Sequence, residues 1–381
     1  MGPDASDTLM FHVDESFSYD NNLFRLPSGV APATGDGNTD RGSLIRTDKA
    51  GVSWDKQYSL QHIHADARVE HHQYSNHGFL NFDSVNGSFA WNWSFTPHLT
   101  GVLSVDRTQS LNSFTDFRNQ SARNLRTNLS KVASFDYEAL GSWHLIGAVI
   151  NYSSLSDNNT LPVEDAYRSR GVQGGVKYVL SSGSYVSYVE RSDNGEYPAQ
   201  GVAPGSLVDT SFHQRAHELQ AMWAYSEKTS LTGRITNSDR RHQNLGQRDY
   251  SGTGGRVDMS WKPTGKIILV AAAGRELTAY QTSYSNYIVT DSISFAPTWK
   301  ITEKTQLKGK VSHSVRDYMG QPTGPVSMRK DTVDSTQLEL DWEAARNIDV
   351  ATILQHDKRG SSYSGFGFGD TTATLNLRLG F

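Results

Sequence analysis

The chain has 381 residues, 36 Lys+Arg against 40 Asp+Glu for a net charge of -4, and no cysteine. That balance, with no basic block, argues against a nucleic-acid partner. The absent thiols remove disulfide frameworks, thiolate metal sites and cysteine nucleophiles together. Mean hydropathy is -0.55, and the longest apolar run, "IILVAAAG", stops far short of the roughly 20 residues a membrane helix needs.

Residues 1–3, "MGP", read as a cloning remnant ahead of a mature start, and residues 4–381 as one domain. From there apolar and polar residues alternate almost everywhere, the period of a two-faced strand. The apolar parity runs Phe11-Val13-Phe17-Tyr19, Ala50-Val52-Trp54, Ile63-Ala65-Ala67-Val69, Phe89-Trp91-Trp93-Phe95 and Leu99-Gly101-Leu103-Val105. It continues with Ala133-Phe135-Tyr137-Ala139 and then a stretch at 143–152 that is apolar on both faces, so its parity stays open. Val172-Gly174-Val176-Tyr178-Leu180, Val186-Tyr188, Leu219-Ala221-Trp223-Tyr225, Leu231-Gly233-Ile235, Val257-Met259-Trp261 and Ile267-Leu269-Ala271-Ala273 follow. The last five are Ile293-Phe295-Pro297-Trp299, Leu307-Gly309-Val311, Leu338-Leu340-Trp342, Ile348-Val350-Leu354 and Ala373 to Phe381. This pattern predicts about 18 strands.

The connections alternate in length. Tight ones are expected at 54–58, 95–99, 139–143, 180–184, 225–229, 261–265, 300–304 and 343–347, and long polar segments such as 26–42, 108–126, 153–169 and 191–209 lie between them. A two-sheet sandwich has no reason to sort its loops this way. An up-and-down transmembrane barrel does, because short periplasmic turns gather at one rim and long extracellular loops at the other. Trp54, Phe95, Trp143, Tyr225, Trp261, Trp299 and Trp342 flank the short turns, as amphipathic rings do at a membrane–water boundary. The expected fold is therefore all-β: a closed antiparallel barrel in the bacterial outer membrane. Its apolar parity meets lipid and lipopolysaccharide, and Trp54, Trp91, Trp93, Phe95, Trp261, Trp299, Trp342 and Phe381 form the lipid-facing girdle. Lipid cannot satisfy open backbone groups, so the first and last strands must pair. The aromatic last residue resembles the C-terminal signal that marks such barrels for insertion.

The other parity then lines the lumen. It comprises His62, His64, Asp66, Arg68, Glu70 and His72 on the third strand, and Arg256 and Asp258 on the twelfth. Lys308, Lys310 and Arg316 follow on the fifteenth, with Glu339, Asp341 and Glu343 on the sixteenth. Barrels of 16 to 18 strands are wide enough to hold water. His62 and His64 could chelate a metal, but no third ligand has recognisable spacing, and histidine also suits a wet wall; no metal and no cofactor are expected. The basic and acidic walls on the fifteenth and sixteenth strands fit either cross-strand ion pairs or solute selectivity. No hydrolase, metalloprotease or phosphate-loop motif is present, so no enzyme is expected.

The segment 4–29 closes its first strand with Tyr19-Asp20-Asn21-Asn22-Leu23-Phe24-Arg25-Leu26. This resembles the "Y-D-N/D-N-L-F-R-L" of the EpsL-like outer-membrane barrels of exopolysaccharide operons, within the β-barrel porins. Physically the motif reads as a rim device, with Asp-Asn-Asn turning the chain and Phe24 anchoring in the outer boundary. The resemblance implies a passive, loop-gated conduit for exporting a polysaccharide, working with periplasmic export components. The alternatives are a general or substrate-selective diffusion porin, a barrel enzyme acting on lipid or glycan, and a docking role.

Overall fold

The computed structural model describes residues 8–115, 121–157, 166–198, 209–280, 285–320 and 328–381. Residues 1–3 and the middles of three long connections, 116–120, 158–165 and 199–208, lie outside them. The strands are β1 (Leu9–Asp20), β2 (Ser43–Tyr58), β3 (Gln61–Tyr74), β4 (Phe82–Thr96), β5 (Leu99–Leu111) and β6 (Leu125–Leu140). Next come β7 (Trp143–Ser156), β8 (Tyr167–Val179), β9 (Tyr185–Glu196), β10 (Ser211–Ser226), β11 (Thr229–His242) and β12 (Tyr250–Trp261). The last six are β13 (Ile267–Ala279), β14 (Tyr287–Lys300), β15 (Thr305–Met319), β16 (Lys330–Ala345), β17 (Ile348–Ser361) and β18 (Phe368–Gly380). All 18 form one sheet, each strand antiparallel to the next, and β1 pairs with β18 to close it. Phe11 and Phe381 exchange both backbone hydrogen bonds, at 3.0 and 2.8 Å. The alternation near the C-terminus is thus held by a ladder on both sides.

Short turns and long loops sit at opposite rims, as the sequence implies. One turn falls elsewhere than expected. "WDKQY" continues β2, and the reversal is at Ser59 and Leu60, with Ser59 at φ 53°. Asp55, Lys56 and Gln57 look like a turn because they are polar, but they extend the strand past the membrane into water.

The parity of β7 is also settled. Trp143, Leu145 and Val149 are exposed on the outside, while Ile146 and Ala148 face the lumen. Both faces are apolar there because the inner wall has a greasy strip, not because the strand leaves the wall.

On the outside, the indole of Trp93 lies over Gly101, its partner on β5, and the ring of Phe135 lies over Gly147, its partner on β7. A Cβ at either glycine would run into the ring. Glycine in a strand costs conformational entropy, and here each one is a socket for a neighbouring aromatic. Trp91 is likewise half-buried, its indole N–H donating to Gln61 at 2.9 Å. The other girdle residues are open, Trp342 at 50 % and Phe381 at 70 %.

The buried core is not in the wall. Leu23, Phe24 and Leu26 of the β1–β2 loop pack with Leu80, Phe114 and Leu125 and with Tyr74 and Phe82. Tyr74 and Phe82 stand on the inward parity of β3 and β4, so this cluster fills part of the extracellular mouth from within. Phe24, expected in the outer boundary, is instead 1 % exposed and meets Phe114 edge-on at 4.8 Å. The reason is a clasp built by its neighbours. Asn22 donates through Nδ2 to the carbonyls of Leu26 and Gly369, both at 2.9 Å, and accepts from the Leu26 N–H. Arg25, at φ 55°, returns to Asp20 at 2.7 Å and to Asp370 at 3.3 Å. The chain is pulled back over the end of β18, and Phe24 swings inward.

Candidate functional site

The inner wall is polar on nearly every strand, because alternation sends one side chain in two inward. On β3, Arg68 bridges Asp66 at 2.9 Å and Glu70 at 2.7 Å, and His72 lies 3.2 Å from Glu70. His62 and His64 both reach Asp55 of β2, at 3.0 and 3.3 Å. The histidine pair therefore has a carboxylate between its rings, and among the described residues no group of three or more His, Asp or Glu is arranged to hold a metal. Arg256 chelates Asp258 at 2.7 Å. On β15 and β16, Lys308 sits between Glu339 at 2.9 Å and Asp341 at 2.6 Å. Lys310 and Arg316 stand on the same parity as Lys308, and Lys310 is open to the lumen.

These walls enclose a cavity of about 1760 Å³ toward the short-turn rim. Asp66, Arg68, Asp341 and Glu343 line it, with His12, Asp14, Lys49 and Arg378, which sequence reading did not single out. Those four lie on β1, β2 and β18, where the inward parity could have found them. A second cavity of about 810 Å³ takes in His62 together with Ile146, Lys177, Arg191, Glu218 and Arg234. Lys177 and His144 converge on Asp136 there, His144 at 2.6 Å. Inner charges mostly meet an opposite charge on the same strand or the next, so the lumen presents a wet, mixed wall with little net field.

Toward the long-loop rim the lumen narrows. Besides the Phe24 cluster, Arg359 of β17, Arg329 and Asp331 form a buried ion network, with Arg329 2.7 Å and Arg359 2.5 Å from Asp331. Tyr318 donates its hydroxyl to Asp331 at 3.1 Å. Around the opposite arc, the Asp209 carboxylate accepts from the N–H groups of Asn244 at 2.7 Å and Leu245 at 2.6 Å, tying the β9–β10 loop to the β11–β12 loop. Burial raises its pKa, but the donors of Asn244, Leu245 and Ser211 outweigh it and hold the carboxyl below its usual range.

The outside of the same wall decides the environment. Large apolar side chains stand exposed around the barrel on the short-turn half of the strands, among them Phe11, Phe89, Phe135, Leu219, Phe295 and Leu338. A soluble protein cannot leave a continuous belt of this kind in water, and only a closed barrel can present it to lipid. This is an outer-membrane β-barrel. No protein-family model matches its sequence, and no curated protein does. Solved structures do match its fold. Pseudomonas aeruginosa OccK1 (OpdK) is 11 % identical at a TM-score of 0.54, over 98 % of this chain and 99 % of that one. Acinetobacter baumannii OccAB4 is 10 % identical at 0.53 over the whole of both chains. A BenF-like porin from Pseudomonas fluorescens is 9 % identical at 0.53, over 98 % of this barrel and 99 % of its own. At such identities the likeness is one of fold: the architecture is that of outer-membrane porins.

Proposed function

We propose that this barrel is a substrate-selective diffusion porin for small hydrophilic solutes. The observation that carries the reading is a large, mixed-charge cavity in a closed barrel beneath a mouth narrowed by inward-folded loops. Weak contacts repeated along such a wall let a solute enter and leave, whereas a deep site would trap it. Paired charges make the contacts weak, and the narrowed mouth restricts what reaches them. Transport along such a wall is passive diffusion down a concentration gradient.

The resemblance of residues 4–29 to exopolysaccharide-operon barrels, and the export role it implies, find no support in the structural neighbours. The clasp formed by Asn22, Arg25 and Asp370 gives those residues a structural task that any barrel with such a loop would share. A polymer would also have to displace the Phe24 cluster to pass.

Planar-bilayer conductance combined with liposome swelling tests the choice. A porin conducts when reconstituted alone and admits small solutes with rates that fall steeply with size. One neighbour's structure was solved with vanillate, so small aromatic acids are the first solutes to try. A closed barrel that admits no small solute and is blocked by acidic polysaccharide would favour export instead.

A further inference from the structure

The outward parity is not apolar along its whole length. On the long-loop half of the strands it turns polar, and most cations there are matched by carboxylates. Arg46 pairs with Glu15 at 2.8 Å and Asp48 at 3.0 Å, and Arg241 with Asp239 at 2.7 Å. Arg275 pairs with Asp291 at 3.4 Å, and Lys330 with Asp317 at 3.3 Å.

One arc departs from this. The outward residues of β5 to β8 include Arg107, Lys131, Arg168 and Arg170 and not one carboxylate. Lys131, Asn151 and Arg170 are opposed in register across β6, β7 and β8, while Arg107 stands two residues beyond Val105, the partner of Lys131. Each follows directly on an apolar outward residue: Val105, Ala133, Val149 and Val172. Lys131 and Arg170 are exposed and have no ion-pair partner among the described residues. Arg168 meets Glu196 only at 3.7 Å, with both side chains more than half exposed. Arg107 donates to the Val85 carbonyl, which fixes its position without neutralising it.

An outward cation inside hydrocarbon costs roughly 2–4 kcal/mol and near the interface almost nothing. Four of them on β5, β6 and β8, just above the apolar belt, therefore mark the headgroup level of the leaflet on the long-loop side, which is the outer one. We infer that the β5–β8 wall is a docking surface for the phosphorylated glycolipid of the outer leaflet, with Lys131 and Arg170 contacting its phosphate groups and Asn151 between them donating to phosphate or sugar oxygens. A second copy meeting this surface with the same surface fits it poorly, because its own row would repel this one.

The test uses the full barrel in detergent at low salt and purified bisphosphorylated lipid A as probe, with binding followed by native mass spectrometry. The wild-type barrel retains lipid A and loses it as salt rises. Lys131→Gln with Arg170→Gln weakens retention roughly twenty-five-fold, two charges at about fivefold each, while Lys358→Gln on the opposite arc does not. Dephosphorylated lipid A binds the wild-type barrel far more weakly than bisphosphorylated lipid A does. That comparison needs no variant and so survives any folding defect. Equal binding of phosphorylated and dephosphorylated lipid A, or unchanged retention by a folded double variant, overturns the assignment. So does equally tight binding of phosphatidylglycerol, which would make the wall a reader of any anionic lipid.

Discussion

Arg359 donates through Nη1 to the backbone carbonyl of Thr115 at 2.8 Å, across 244 positions of sequence. Arg359 stands on β17 and Thr115 on the loop after β5, and five strands of the wall, β18 and β1 to β4, lie between them. The bond is therefore made inside the mouth, not along the sheet. Arg359 also donates through Nε to Asp331 at 2.9 Å, so the loop is anchored to an ion network that is itself buried.

Arg359→Ala is expected to loosen that anchor. Removing one partner of a buried ion pair costs about 3–5 kcal/mol, and here the loss falls on the mouth. Single-channel recording should show larger and noisier conductance, with the heat-modifiable gel shift of the folded barrel unchanged. Wild-type conductance in this variant would mean that the Thr115 loop does not bound the solute path.

Phe24→Ala acts on the same mouth from the other side. Truncating a buried aromatic costs about 3–5 kcal/mol, and Phe24 touches Phe114 and His77 rather than the wall's ladder. Swelling rates for larger solutes should rise while the unfolding temperature of the barrel barely moves. A fall in that temperature matching the core cost would place the cluster in the wall's stability instead.

Gly101→Ala tests the socket beneath Trp93. The added methyl meets both the indole and the Ser134 carbonyl, and overpacking of this kind costs about 1–3 kcal/mol. Urea midpoints of the folded barrel in detergent should drop, and Trp93→Leu should restore part of the loss by vacating the socket. No rescue would show that the backbone clash alone sets the cost.

Most of the wall was legible because lipid enforces one face and water the other, so parity alone orients residues such as Leu338 and Glu339. What failed had no period to read. Phe24 sits in a polar loop whose direction depends on side-chain bonds from Asn22 and Arg25 to residues nearly 350 positions away. The end of β2 was misplaced because strand residues beyond the membrane look like turn residues. The partner of His62 and His64 is hidden for the same reason, since Asp55 reads as part of that turn.

The Asp209 clasp predicts a pH response at the extracellular rim. Its folded pKa lies below the ordinary 3.8, so its contribution is full above that value and is lost as pH falls through the lower, folded one. Pepsin cleavage around Leu245 should thus rise on acidification below pH ~4 more than in Asp209→Asn, whose clasp is already weak at every pH. Parallel profiles for the two proteins would remove Asp209 as the cause.

Charge selectivity follows from which inner cations are already neutralised. Lys308 lies between Glu339 and Asp341, whereas Lys310, two residues on and facing the same way, has no partner among the described residues. Lys310→Glu replaces an unmatched positive charge with a negative one, and Lys308→Met leaves two carboxylates without their cation. Both should move the reversal potential in a KCl gradient toward cation preference. The shift should shrink near 1 M salt, where the screening length falls to about 3 Å. Reversal potentials equal to wild type at about 0.1 M, where the screening length is about 10 Å, would put β15 off the ion path, and with it the reading of the mixed-charge cavity as the conduit.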